Sequence, residues 1–236
     1  MKSPIIVSLK NTEIVFPLKN SAICNANCGI QINGTMIPTF AAKIAAVKKS
    51  RMDLVSNTDW IDGTRIQRWA QEKNLAVVMP AGENRFYVDN PREGAYFGEY
   101  IGRELVEMTR KMFPLSEKRE DTFIAGLSMG GYGAIRNGLK YHKTFSHIAG
   151  LSSGIMLEDI LNSTNEPVMP FMRRSYYESV FGDLSQLEGS DMDYKALICK
   201  LKEEKADIPK IYLCCGTEDF LLKYNRDYRD LVSNTE

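Results

Sequence analysis

The sequence predicts an α/β protein, a mostly parallel sheet with helices on both faces. Three observations carry that prediction. Short apolar runs at 75–79, 122–127, 145–151 and 210–216 alternate with stretches whose apolar residues recur every three or four positions. The runs are continuous rather than alternating in polarity, as strands covered on both faces require. The length of 236 residues suits one large domain of this kind, or at most two small ones.

Each element has its own signal. Ile66, Trp69 and Ala70 lie at helical spacing, with Asp62 or Thr64 placed to cap the start and Asn74 to end it. The run 75–79 reads as a buried strand stopped by Pro80, and a Gly/Asn/Asp/Pro-rich loop follows to Gly94. Phe97, Ile101, Leu105, Met108 and Met112 mark a helix that ends before Pro114. Strand 122–127 leads into a helix from about Gly130 to Tyr141, and strand 145–151 comes next. Residues 155–190 have weaker periodicity, broken by Pro167, Pro170, Gly182 and Gly189, and read as an insertion or cap. Tyr194, Leu197, Ile198 and Leu201 form a helix that Asp193 can cap. Strand 210–216 ends at glycine, and Leu221, Tyr224, Tyr228 and Leu231 mark a last helix.

Composition excludes several classes of function. Hydrophobic residues make up 44% and charged residues 25%, and the formal net charge is zero, so no bulk field recruits nucleic acid or an anionic membrane. No stretch approaches the roughly 18 apolar residues of a membrane span. The start, with only Ile5, Ile6 and Val7 as an apolar core, is too short for a signal peptide. Of five cysteines, Cys24 and Cys28 lack neighbours to complete a zinc site, and Cys199, Cys214 and Cys215 read as reduced residues, which fits a cytoplasmic protein. Residues 1–55 differ from the rest: seven basic residues stand against Glu13 and Asp53, which leaves 23 basic and 28 acidic residues for the remainder. The expectation is an atypical segment over 1–55 and a core over 56–236.

The segment Phe123–Ala134, FIAGLSMGGYGA, carries the chemistry. Gly126-Leu127-Ser128-Met129-Gly130 fits G-x-S-x-G between a strand and a helix, where a sharp turn lifts the serine hydroxyl above the sheet. Gly126 and Gly130 are expected to let strand and helix pass closely, and the Met129 N–H to face the oxygen that turns negative in acyl transfer. The competing reading is a serine in an ordinary glycine-rich turn. No lysine follows as in a phosphate-binding loop, and the glycines do not fit G-x-G-x-x-G.

A serine nucleophile needs a base, and the base an orienting carboxylate. Asp219 in CCGTEDFL follows the carboxyl end of a predicted strand, where that acid belongs, with Glu218 as its competitor. Asp219 could instead only cap the following helix. The two histidines, His142 and His147, both precede Asp219 and read as structural, so no catalytic histidine is assigned; His147 is the first candidate should one be needed.

NLAVVMPAGENRFYVDN, REDTFIAGLSMGGYGA, FSHIAGLSSG and LCCGTEDFL resemble the esterase D family of α/β-hydrolases, which includes tributyrin-type carboxylesterases and S-formylglutathione hydrolases. The resemblance runs from about Ser56 to the C-terminus. It implies an eight-stranded α/β-hydrolase fold and cofactor-free, metal-free hydrolysis of short-chain esters or thioesters. It places the nucleophile at Ser128, an oxyanion-hole N–H at Met129 and the acid at Asp219. Relatives carry a His-Gly pair in an early loop, for which Asn33-Gly34 is the only echo, and a catalytic histidine beyond the acid. The expectation is therefore a chain without the last strand and helix, and a segment 1–55 that is divergent or not native to the family, as a shifted reading frame would produce. An impaired hydrolase without its base and an acyltransferase on the same fold are the alternatives. Phe86, Tyr87, Met169, Phe171, Tyr176, Tyr177 and Phe181 line either a pocket, suited to an apolar acyl chain or an aromatic ester, or the core. The expected partner is a small-molecule ester, with no nucleic acid and no membrane; self-association stays open.

Overall fold

A computed structural model describes residues 59–166 and 170–233, together with the backbone of four short strands before them. Those strands are β1 (Ile6–Val7), β2 (Ser21–Cys24), β3 (Ile30–Ile32) and β4 (Thr35–Ile37). Most of segment 1–55, including Asn33-Gly34, and Met169 lie outside the described residues.

A single turn, α1 (Asp59–Asp62), precedes α2 (Ile66–Lys73). Of the two expected caps, Thr64 takes part: its Oγ1 accepts the Ile66 N–H at 3.1 Å. Asn74 ends α2 in the left-handed conformation, φ 53°, donating its N–H to Ala70 and Gln71 carbonyls. Strand β5 (Leu75–Val78) follows, then the hairpin β6 (Asp89–Asn90) and β7 (Ala95–Tyr96). The expected helix from Phe97 is present but not uniform. A turn α3 (Phe97–Glu99) widens into a π-helical stretch over Tyr100–Glu104 before α4 (Leu105–Met112). Gly102 lies in that stretch against the Tyr141 ring, where a Cβ would come within 2.1 Å of the ring.

Strand β8 (Phe123–Leu127), helix α5 (Met129–Lys140), strand β9 (His147–Leu151), α6 (Leu157–Leu161), α7 (Arg174–Phe181), α8 (Tyr194–Glu203), β10 (Lys210–Cys214) and α9 (Leu222–Ser233) complete the chain. The main sheet runs β1-β10-β9-β8, all parallel, and β2 pairs in parallel with β5 in a separate sheet. The single eight-stranded sheet implied by the resemblance is thus divided among the described residues. Asp193 caps α8 as expected, its Oδ1 accepting the Lys195 and Ala196 N–H groups at 2.8 and 3.2 Å.

Helix α5 lies across β8 and β9, α9 against β10, and α8 joins the two helices. Ile135, Leu139, Ile148, Ile198 and Leu213 are fully buried between these layers. Residues of 155–190 enter the same core: Ile155, Ile160, Val180 and Leu187 are buried with it. Phe86, Tyr177 and Phe181 also belong there, in edge and tilted contacts with Tyr132 and with one another, so core packing describes them better than pocket lining.

Both histidines sit at the opposite end of this sheet from Ser128. His147 pairs in register with Phe123, five residues of strand before Ser128, roughly 16 Å away. Its ring meets Phe123 edge-on and Nδ1 lies 2.8 Å from the Ser146 Oγ. His142 follows the far end of α5, about 20 Å along the helix from Ser128. Its carbonyl accepts the Arg119 Nε–H at 2.6 Å. The first-candidate base His147 is thereby set aside on geometry.

Burial, reinforced by the Lys210 and Arg119 charges, lowers the His147 pKa from 6.5. Below pH 6.5 the unfolded chain takes up a proton that the folded chain refuses, so stability must rise with pH from the depressed folded pKa up to 6.5 and level off above it. Urea midpoints between pH 5 and 7.5 should show that slope, and His147→Gln should flatten it. An unchanged slope in the variant would place its origin elsewhere.

Candidate active site

Ser128 is the junction between β8 and α5, with φ 55° and ψ −116°. A non-glycine residue there is strained, at a cost of about 1–3 kcal/mol. Serine at a helix start ordinarily adopts extended backbone and turns its oxygen back onto the first-turn N–H groups. Ser128 makes no such capping bond. An ordinary turn serine therefore describes it poorly.

Backbone bonds on both sides hold the strained residue. The Ser128 N–H donates to Leu151 O at 2.9 Å, and its carbonyl accepts from Gly154 at 2.8 Å and Tyr132 at 3.1 Å. The two glycines of the motif act unequally. A Cβ at Gly126 would lie 2.0 Å from the Gly130 carbonyl oxygen and 2.2 Å from its carbon. A Cβ at Gly130 would meet only the Tyr87 ring, at 3.9 Å. The close approach thus fixes Gly126 and leaves Gly130 room for a methyl, which corrects the symmetric expectation. Gly131 and Gly133 do serve close packing, against Ser153 and Tyr87.

Leu127, Leu151 and Cys214 lie in register, so Ser128, Ser152 and Cys215 stand side by side past the carboxyl ends of β8, β9 and β10. Ser152 also has left-handed backbone, φ 39°, and its N–H reaches Cys214 O at 2.6 Å. Cys215 is buried, which raises its thiol pKa; the Asp219 charge adds to the rise and the Ser152 hydroxyl opposes it. Asp219 is half-buried, whereas Glu218 is exposed. The Asp219 Oδ1 accepts the Leu221 N–H at 2.9 Å, the bond expected of a residue that caps the start of the following helix. Ser128 and Asp219 are brought to one edge of the sheet; His142 and His147 are not.

The loop after β5 packs against α5 and α7. Glu83, Asn84, Phe86 and Tyr87 all have positive φ. The Tyr87 carbonyl accepts Asn137 Nδ2 at 2.9 Å, Arg85 donates to Ser179 O at 2.9 Å, and Tyr176 OH to Asn84 O at 2.5 Å. No group of three or more metal-ligating side chains occurs among the described residues, and none of their helices is long and apolar enough to cross a membrane.

A parallel sheet with a strained serine between strand and glycine-rich helix defines an α/β-hydrolase. The family model described as "Putative esterase" matches residues 53–232, and the chain belongs to that esterase family. An acetyl esterase of Caldicellulosiruptor saccharolyticus is 49% identical over 176 residues, covering 75% of this chain and 66% of the relative. A substrate-bound structure of the fluorophosphonate-binding serine hydrolase F of Staphylococcus aureus is 29% identical with TM-score 0.69, covering 98% of this chain and 78% of the other. The S-formylglutathione hydrolase of the same organism is 28% identical with TM-score 0.64, at the same coverage.

Proposed function

We propose that the protein is a serine carboxylesterase-type hydrolase of short-chain or aromatic esters or thioesters, with Ser128 as nucleophile, the Met129 N–H as one oxyanion donor and Asp219 as the acid. The carrying observation is the strained, uncapped Ser128 held between Leu151, Tyr132 and Gly154. The relatives named as an acetyl esterase and an S-formylglutathione hydrolase support the substrate class. In this reading Ser128 Oγ attacks the ester carbonyl carbon and passes its proton to a base. The oxyanion forms beside the Met129 N–H, the alcohol leaves with a proton, and water releases the acid from the acyl-enzyme. Gly126 lets the strand pass the Gly130 carbonyl closely at the turn. The free thiols of Cys199, Cys214 and Cys215 support a reducing, cytoplasmic setting.

A second reading has its own observation. Neither His142 nor His147 approaches Ser128, so the 236-residue chain holds nucleophile and acid without a histidine between them. Loss of the base alone costs a serine triad on the order of a million-fold in turnover. p-Nitrophenyl acetate hydrolysis by this chain is therefore expected to stay within about tenfold of its Ser128→Ala variant, since nucleophile and base act as one unit. A serine-dependent rate hundreds of times above the variant would show that another group of this chain serves as base.

A further inference from the structure

We infer that Asn225, which the motif does not include, is a positioning residue that fixes the turn carrying Asp219 to the loop holding Ser128. The inference rests on the proposed roles of those two residues. Asn225 lies one turn into α9, just after the Asp219 turn, and is fully buried. Its Oδ1 accepts the Ser153 N–H at 3.2 Å, and its Nδ2 donates to Ser153 O at 3.0 Å and to Leu221 O at 2.9 Å. One side-chain amide thus satisfies both backbone groups of Ser153, as a neighbouring strand would, and ties them to the start of α9.

Both ends of this bracket reach the site. The residue after Ser153 is Gly154, whose N–H holds the Ser128 carbonyl. The residue before it is Ser152, which stands beside Cys215 past the carboxyl ends of β9 and β10. Leu221, the other acceptor, donates its own N–H to the Asp219 carboxylate. Asn225 is therefore the side chain through which elbow and acid turn share one reference frame. A leucine of similar size would fill the space and leave both Ser153 backbone groups buried without partners.

The test uses the Ser128→Cys chain, whose acylation by p-nitrophenyl acetate needs no histidine. Adding Asn225→Ala should lower the maximal acylation rate roughly ten- to a hundredfold, the range that misplacement of about 1 Å brings, with half-saturation unchanged. Asn225→Asp keeps the acceptor for Ser153 and loses both donor bonds, so its rate should fall between. Ile198→Ala, a buried change in α8, should lower stability and leave the rate alone. Equal slowing by Ile198→Ala, or a folded Asn225→Ala chain within twofold of its parent, would overturn the inference. If the Ser128→Cys parent is not acylated, the proposed function fails, and amide exchange decides the bracket separately. Ser153 and Gly154 should then exchange at least about tenfold faster in Asn225→Ala, or in Asn225→Leu if the first does not fold, than in the parent, with Ile148 unchanged. No acceleration would overturn it.

Discussion

Gly126→Ala should destabilise the protein by about 3 kcal/mol, at the upper end of what overpacking usually costs, while Gly130→Ala should be neutral or slightly stabilising. The contrast follows from what each methyl meets. At Gly126 the added carbon would sit 2.0 Å from the Gly130 carbonyl oxygen, a backbone atom that can move only if the first turn of α5 moves. That turn also carries the Ser128 carbonyl bonds to Tyr132 and Gly154, so the shift would loosen the strained serine. At Gly130 the methyl would touch only the Tyr87 ring at 3.9 Å, an ordinary contact. Alanine is also the better helix former there, by about 1 kcal/mol. Urea midpoints of the two variants decide the matter. Equal losses would mean that the helix start yields where the geometry says it is fixed.

Arg136→Met should cost about 3 kcal/mol, the lower end of the range for breaking a buried ion pair. Arg136 is 0% exposed within α5, which is rare for an arginine. Its guanidinium donates to the Asp191 carboxylate at 2.6 Å, the Asp191 carbonyl at 2.8 Å and Asn137 Oδ1 at 2.8 Å, with Asp89 at 3.8 Å. Burial works against the Asp191 charge, but Arg136 and Lys140 outweigh it and hold that carboxyl below its usual range. Methionine would fill the space and leave Lys140 alone between two carboxylates, at 2.6 Å from Asp191 and 3.2 Å from Asp89. Asp191 is 49% exposed, which lets water relieve part of the loss and places the effect low in the range. Adding Asp191→Asn should recover part of the stability. If the double variant is no better than Arg136→Met, the charge of Asp191 is not what the arginine answers.

Much of the frame was legible from residue order because local and tertiary preferences agree there. The runs at 122–127, 145–151 and 210–216 are strands, Asp193 caps its helix, and Asn74 ends another in left-handed backbone. The features that escaped depend on contacts between distant segments. Nothing in the order of residues marks Arg136 as buried; Gly98, 38 positions earlier, makes room for it, since a Cβ there would lie 2.2 Å from the guanidinium. The π-helical stretch at Tyr100–Glu104 keeps an acceptable helical spacing of apolar residues, so periodicity gives no sign of it. Asn225 carries no motif, and its role appears only when α9 is laid against the loop after β9. The site was legible in part. Strand, glycine and serine in succession pointed to the strained turn at Ser128, and position after a strand pointed to the turn that carries Asp219. Which glycine the turn needs, and that Ser128, Ser152 and Cys215 stand side by side, required coordinates.

The most direct test of Ser128 as an acyl acceptor removes the need for a base. A thiol at a helix N-terminus ionises more readily than a hydroxyl and attacks esters without a general base. The Ser128→Cys chain, mixed with p-nitrophenyl acetate at neutral pH, should release one equivalent of p-nitrophenolate in a burst and gain one acetyl group at residue 128. The burst should be at least about tenfold faster than modification of the parent chain, whose own described cysteines are partly or fully buried. A folded Ser128→Cys chain that is acetylated no faster than its parent, or at another residue, would contradict the account.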